Sequence, residues 1–546
     1  MRYSLTILLL FFFNFLSAQP NPKQEAWLED LQFLQTEIHQ NYAFLFKKIS
    51  AEAFDKEVTA LEKNIPNLAD HEIIVELAKL VASFKYGHTG IGLSGWSRGN
   101  VVGFHQFPYN LYHFKDGVYI QGVHQDYAKA IGAKVLRIGQ QSITEAMKAV
   151  YPVVSAENDQ FFKGYGLSYL TVPEIIHAQG INNDLYKVEL LLEKDGVEFT
   201  MAFTASAFEH FPGAYGLVKQ GGEWLSARKQ DPYPLWLQKM DKIYFFEHLP
   251  ERQAVYIRHS QIQNDPTESM TDFYARVFDF IEKNDVGKLI VDVRLNGGGD
   301  NTMNKDIIPQ IIANQRINQK GKFFVIIGRR TFSACQNLVN ELDTYTNVTF
   351  VGEPTAENIN FFGDVNAIRL PNSQIPVRLS FAWWQNKPPW DEREWMPPHH
   401  SVEMTFNDFV ENRDPILASI WDLKPEDVID PMEHIMTLFQ QGKLEELATQ
   451  AKKYIQDPTY QYVPFLANFL RGGKALMGNE QYPQAQYVFQ LTTDAFPESA
   501  EAWLGLAQAK QAMGNSEGAK MALQKCIQLD HKGALSKKAQ FLLSKL

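Results

Sequence analysis

The chain has 546 residues, enough for three or four domains, and a formal net charge of −11. That acidic balance gives no electrostatic reason for nucleic-acid binding. The two cysteines, Cys335 and Cys526, fall far apart in the sequence and exclude a disulfide framework.

Met1 to Ala18 carries one positive residue, Arg2, then the apolar run Leu5-Thr6-Ile7-Leu8-Leu9-Leu10-Phe11-Phe12-Phe13, and ends Leu16-Ser17-Ala18. This order of charged, apolar and small residues predicts a signal peptide cleaved before Gln19, and a secreted or periplasmic chain. The alternative is an uncleaved anchor, but the run is shorter than the about 20 residues that span a bilayer. No membrane span is expected once the leader is removed.

Residues 23 to about 84 read as helices. Trp27, Leu28, Leu31, Phe33, Leu34 and Ile38 recur at helical spacing, as do Ile73, Ile74, Leu77, Leu80 and Val81. The last helix runs into Phe84-Lys85-Tyr86-Gly87-His88-Thr89-Gly90. Taken alone, His88 is a cap or a solvated side chain.

Residues 101 to about 205 are β-rich. Gly117-Val118-Tyr119-Ile120 and Lys187-Val188-Glu189-Leu190-Leu191-Leu192 read as strands, and Asp195-Gly196 as a hairpin turn. The segment Ala133 to Ile143, followed by a helix from about Thr144, resembles the central strand and turn of a PDZ-like module. Such modules capture extended peptides by strand addition, although the carboxylate-binding Gly-Leu-Gly-Phe loop is missing. A structural β-domain without ligand is the other reading. Residues 206 to 233, rich in Gly, Pro and aromatics, read as a long loop.

The organising stretch runs from Lys288 to Glu353. Leu289-Ile290-Val291 leads into Asp292-Val293-Arg294-Leu295-Asn296-Gly297-Gly298-Gly299. Phe323-Phe324-Val325-Ile326-Ile327 leads through Gly328-Arg329-Arg330-Thr331 to Phe332-Ser333-Ala334-Cys335 and an amphipathic segment. Val348 to Val351 ends at Gly352-Glu353-Pro354. Strands alternating with a helix predict a parallel α/β unit, in which function sits beyond the carboxyl ends of the strands. The glycines lack the following Gly-Lys-Ser/Thr of a P-loop and the spacing of a dinucleotide fingerprint. Ser333 at a helix mouth is either an ordinary N-cap or a nucleophile whose oxyanion backbone donors would hold.

Further on, Phe381 to His400 is dense in Trp and Pro and either lines a cleft or covers the sheet. His399-His400 lacks ligand spacing, so no metal is assigned. From about Pro431 the pattern is helical only. Gly442, Gly478 and Gly514 are 36 residues apart, and Ala475-Leu476-Met477-Gly478-Asn479 parallels Gln511-Ala512-Met513-Gly514-Asn515. This resembles tetratricopeptide repeats, which stack helix pairs and bind peptides or proteins. A protein partner through this segment is therefore expected; the plainer reading is a helical cap.

Asp-Val-Arg-x-Asn-Gly-Gly-Gly, then Thr-Phe-Ser-Ala about thirty residues on, then Gly-Glu-x-Thr, resembles the tail-specific (C-terminal processing) protease superfamily, including its tricorn-core-like branch. The resemblance spans Trp27 to about Asp422. It implies a multidomain α/β fold with a crotonase-like core, divided as 1–18 signal peptide, 19–95 helical domain, 96–210 PDZ-like β-rich domain, 211–430 α/β peptidase core and 431–546 helical repeats. It implies a serine-type peptidase acting on a peptide or protein substrate, with no metal and no cofactor.

Two catalytic branches exist in that superfamily. In the Ser/Lys branch the lysine position, counted on from Gly352-Glu353-Pro354-Thr355, falls here at Asn358, so that branch fails. The Ser/His branch leaves Ser333 as nucleophile, His88 as base, and the backbone at Gly298 and Ala334 as oxyanion hole. For the acid, counting back from the family's Pro-Asp signature gives Glu392 first, with Asp391 and Glu394 beside it, and assigns Glu353 to a structural turn. Three departures stand out: Tyr86 where relatives often have Asp, Gly87 where the tricorn enzyme has Ser, and His399 after Pro398. They leave open a catalytically inactive peptide- or ligand-binding protein on the same fold, or a scaffold whose repeats matter most.

Overall fold

The computed structural model describes residues 22–94, 102–207, 212–230 and 232–546. The leader Met1–Ala18 lies outside the described residues. Among the described residues, no helix is long and apolar enough to cross a membrane.

Three helices, Pro22–Asn41, Ala51–Asn64 and Asp70–Ala82, open the chain. The Ser50 hydroxyl accepts from Ala53 N–H and the Glu72 carboxylate from Ala69 N–H, which satisfies amides that have no intrahelical acceptor. The apolar stripes of these helices join one core with the antiparallel sheet that follows. In that sheet the strands lie in the order Trp224–Ser226, Gly117–His124, Lys134–Ile138, Lys187–Lys194 and Val197–Thr204, and Tyr109–Phe114 also pairs with Gly117–His124. Asp195 and Gly196 both take positive φ (54° and 76°), the two-residue turn that their sequence predicts. The helix Ile143–Val150 begins at a capping box of Ser142 and Glu145. The stretch 206–233 is not all loop, since Trp224–Ser226 adds to the sheet edge against Gly122–His124.

The second sheet carries the site. Its strands are β1 (Tyr244–Leu249), β2 (Ala254–His259), β3 (Lys288–Asp292), β4 (Phe323–Ile327) and β5 (Thr349–Gly352), followed in sequence by the hairpin β6 (Phe361–Arg369) and β7 (Pro376–Trp384), and then β8 (His400–Ser401). The order is β1-β2-β3-β4-β5-β8, with β1 antiparallel and the rest parallel. β2, β4 and β5 are buried along their whole length, as parallel strands covered on both faces must be. The helices Met270–Lys283 and Ala334–Tyr345 pack on one face through Phe273, Val277, Leu338 and Val339. The helix Pro415–Asp422 covers the other through Ile416 and Ile420.

From Pro431 to Leu543 the described chain is helical. Phe489 is wedged between two glycines of neighbouring helices: a Cβ on Gly473 would lie 2.6 Å from its ring, and one on Gly505 2.3 Å. Small residues here let the helices close on a large ring. The apolar clusters of this region draw only on residues from Ile429 onward. At its junction with the sheet, Trp395 Nε1 donates to Tyr462 O (3.1 Å), the two rings meet edge-on at 6.1 Å, and Tyr462 OH donates to Glu403 (2.7 Å). Cys335 and Cys526 are both free and buried.

Because the two apolar cores are separate, a chain ending at Asp430 should remain folded and soluble, with a thermal midpoint within about 5 °C of the full chain, the shift of about 1–2 kcal/mol in a domain this size. Aggregation of the shortened chain would show that the helical region completes the core.

Candidate active site

Ser333 sits between β4 and the helix Ala334–Tyr345 with φ 57° and ψ −130°. This is a sparsely populated conformation for a residue with a Cβ, of order 1–3 kcal/mol in cost, and persists only when its surroundings enforce it. The enforcing bonds are local. Thr331 Oγ1 accepts from Gly328 N–H (3.0 Å) and donates to Val293 O (2.9 Å). Phe332 N–H donates to Asn296 O (3.1 Å), and Ala356 N–H to Thr331 O (3.0 Å). Ser333 N–H itself donates to the Glu357 carboxylate. Arg329 forms a buried pair with Glu353, at 2.6 and 2.7 Å.

The Asp-Val-Arg-x-Asn motif braces the glycine turn. Asp292 accepts from Tyr256 OH (2.7 Å), and Arg294 bridges Asp292 (2.8 Å) and Asp414 (2.9 Å). Asn296 Nδ2 donates to His259 O, and its Oδ1 accepts from Gly298 N–H, both at 3.0 Å. Gly298 has φ 100°, and a Cβ there would lie 2.5 Å from Ser333 Cβ. The glycine is required by its conformation and by its approach to Ser333.

His88 arrives from the other end of the chain. Its loop leaves the helix Asp70–Ala82 through Lys85, at φ 55°, and docks on β7. Gly90 and Arg378 exchange backbone bonds at 2.9 and 3.0 Å, and the Thr89 and Ser380 hydroxyls lie 2.6 Å apart. The imidazole stacks on Phe332 at 4.5 Å and on Phe361 at 6.1 Å. Its Nε2 is 3.0 Å from Ser333 Oγ, and its Nδ1 is 3.1 Å from Glu357 Oε1. Gly87 admits no side chain, because a Cβ would lie 2.5 Å from Phe161 and 2.8 Å from Phe332. Tyr86 is buried, its ring edge-on to Phe362 at 5.1 Å.

The structure therefore brings Ser333 and His88 together, and it places none of the three expected carboxylates at His88. Glu392 is exposed. Asp391 is held by Arg393 at 2.7 Å, and Glu394 is also exposed. The carboxylate at His88 is that of Glu357, which is fully buried. Burial pushes its pKa well above the usual carboxylate range, against the opposing pull of the Ser333 N–H and Lys48. A second buried carboxylate, Glu157, lies beside it. One donor atom each of His88, Glu157 and Glu357 falls within a 4.8 Å cluster.

Of the two expected oxyanion donors, Ala334 is the first residue of its helix, so its N–H has no intrahelical acceptor. Gly298 N–H is occupied by Asn296 Oδ1 in this conformation. Away from the cleft, His71 Nε2 and His177 Nδ1 are 3.0 Å apart with Glu72 beside them, a donor set that could hold a metal. His399 Nδ1 accepts from Phe350 N–H at 2.9 Å and serves the strand β5.

No protein-family model matches the chain, and no curated protein matches its sequence. Solved structures do match. The crystal structure of mature CPAF aligns with a TM-score of 0.51 at 12% identity, covering 73% of this chain and 96% of that one. Mature CPAF complexed with lactacystin gives 0.50 at 12%, covering 73% and 97%. A CPAF mutant gives 0.51 at 10%, also covering 73% and 97%. At this identity the likeness is one of fold: a mixed α/β multidomain architecture, shared over nearly the whole of the CPAF chain.

Gly298→Ala should destabilise the chain by about 1–3 kcal/mol, as overpacking does, and should push Ser333 away from His88. Denaturant unfolding with a crystal structure of the variant checks both; an unchanged midpoint would mean that the turn tolerates a side chain.

Proposed function

We propose that the chain is a serine-type peptidase that hydrolyses peptide bonds with Ser333 as nucleophile, His88 as general base and Glu357 as the acid behind it. The observation that carries this reading is the line Ser333 Oγ, His88 Nε2, His88 Nδ1, Glu357 Oε1, with contacts of 3.0 and 3.1 Å at its two ends. Serine is a weak nucleophile until a base takes its proton, and the base needs a partner that fixes its tautomer and stabilises the imidazolium. In the proposed reaction Ser333 Oγ attacks the scissile carbonyl as His88 Nε2 takes its proton. Nδ1–H then faces the Glu357 carboxylate. Ala334 N–H receives the developing oxyanion at the helix mouth, where the dipole also favours negative charge. Gly298 N–H joins it if Asn296 Oδ1 releases. His88 next returns the proton to the leaving amine, and water repeats the cycle on the acyl group.

The leader Met1–Ala18 supports export, and peptide or protein is the substrate class. The edge of the antiparallel sheet is the proposed route for peptide capture, and the helical region from Pro431 the proposed partner surface.

On a peptide substrate, Ser333→Ala and His88→Ala should each lower kcat by on the order of 10⁴-fold or more, because members of such a unit fail together. Glu357→Gln should cost on the order of 10²–10⁴-fold, while Glu392→Gln and Asn358→Ala should stay near wild type. Steady-state kinetics with purified variants checks this. Near-wild-type turnover in His88→Ala would overturn the mechanism. A wild-type chain that cleaves no peptide would favour a binding protein on the same fold.

A further inference from the structure

Glu157 has no counterpart in the motifs that point to the site, yet it touches both halves of it. It is 5% exposed and lies just ahead of the short helix Asp159–Tyr165. Its Oε1 accepts from Gly87 N–H at 2.8 Å, and its Oε2 from Asn358 N–H at 3.1 Å. Gly87 adjoins His88 and Asn358 adjoins Glu357. A single buried carboxylate thus clamps the loop that brings the base to the loop that brings the acid, and sits against Glu357 itself.

We propose that Glu157 is a positioning residue that sets the charge state of Glu357, so that His88 becomes a base only after this carboxyl pair has lost the proton it shares. The proposal rests on the peptidase reading given above.

The groups that face the pair come from four segments: His88, Tyr86 and Lys85 from the base loop, Lys48 from the turn after the first helix, Tyr165 beside Glu357, and Glu394 beyond Lys48. Lys48 is a lysine whose charge acts on both carboxylates. Its ammonium donates to Lys85 O at 3.0 Å and lies 4.7 Å from the Tyr86 ring centre. Although the residue as a whole is exposed, desolvation at that end lowers its pKa. One weakened cation cannot neutralise two buried carboxylates, and like charges this close do not both ionise readily.

Hydrogen bonding decides which oxygen keeps the proton. Glu157 accepts two backbone N–H bonds, one on each oxygen, whereas Glu357 accepts one, from Ser333 N–H. Donors to a carboxylate favour its ionised form, so the shared proton resides on Glu357. Burial is the largest cause at both: it pushes Glu157 up to about 7 and Glu357 well above the carboxylate range. A protonated Glu357 donates to His88 Nδ1 and leaves the ring proton on Nε2, which then cannot take the proton of Ser333. An ionised Glu357 accepts from Nδ1–H and frees Nε2. The pair therefore holds the base off while Glu357 keeps its proton and releases it as pH rises through the raised range of that carboxyl.

The test is the pH dependence of kcat/KM for wild type and Glu157→Gln. Removing the like charge should let Glu357 ionise earlier and move the acid limb down by roughly one pH unit or more. A residue that only braces the loops would lower kcat/KM at every pH and leave the limb in place, which overturns the proposal. A second measurement needs neither turnover nor that variant to fold. In Ser333→Ala, the ring ¹⁵N shifts of His88 should report Nε2–H at acidic to neutral pH and Nδ1–H as the pair deprotonates. Nδ1–H throughout would overturn the proposal. A wild type that cleaves nothing but shows the tautomer change would remove the peptidase reading and leave the carboxyl pair standing.

Discussion

The site depends on the backbone of Ser333 being held where a residue with a side chain does not settle by itself. Its φ of 57° aims Oγ out of the end of the parallel sheet, towards His88. That conformation is enforced from three directions: the Thr331 hydroxyl within the turn, Asn296 O from the neighbouring strand end, and Glu357 on Ser333 N–H. Glu357 therefore has two tasks. One oxygen stabilises the strained amide of Ser333 and the other faces His88. Moving it would disturb the position of the serine and the electrostatics of the histidine together.

The parallel sheet explains why such a turn exists here. Strands buried on both faces leave their carboxyl ends as the open surface of the α/β core. β3 ends in the glycine turn and β4 in the serine turn, with neighbouring registers that pair Val291 with Val325. The Asp292–Arg294–Asp414 network fixes the first turn beneath the second. His88 comes from outside this core, on a loop that the β6–β7 hairpin holds by backbone pairing at Gly90 and Arg378. The N-terminal helices and the α/β core are thus joined at the point where His88 meets Ser333.

Much of this was legible from residue patterns. Glycines before a strand partner, and a serine at a helix mouth, have physical reasons to be where they are, and Gly298 and Ser333 occupy those places. His88 was legible only by resemblance, since a single histidine after a helix has no periodic signal. Spacing alone pointed to Glu392 and not to the carboxylate that lies against His88, because spacing counts residues and does not report burial. Two loops, 353–360 and 391–396, lie against each other, with Thr355 N–H bonded to Met396 O, and both carry acids. The one beneath His88 is the inner loop. Its signal was the second Glu of that loop, Glu357, one residue before the position counted for a lysine. Glu157 had no comparable signal, because its partners are backbone amides 70 and 201 residues away. The stretch 206–233 reads as loop because its strands, of which Trp224–Ser226 is the longest among the described residues, are too short to show alternation.

The most direct test of the account is the intact mass and peptide map of the chain after treatment with a fluorophosphonate. The account predicts one adduct, on Ser333, whose formation slows by on the order of 10³-fold or more in His88→Ala, as loss of the base from such a unit does. Modification at another residue, or an equal rate without His88, would contradict it.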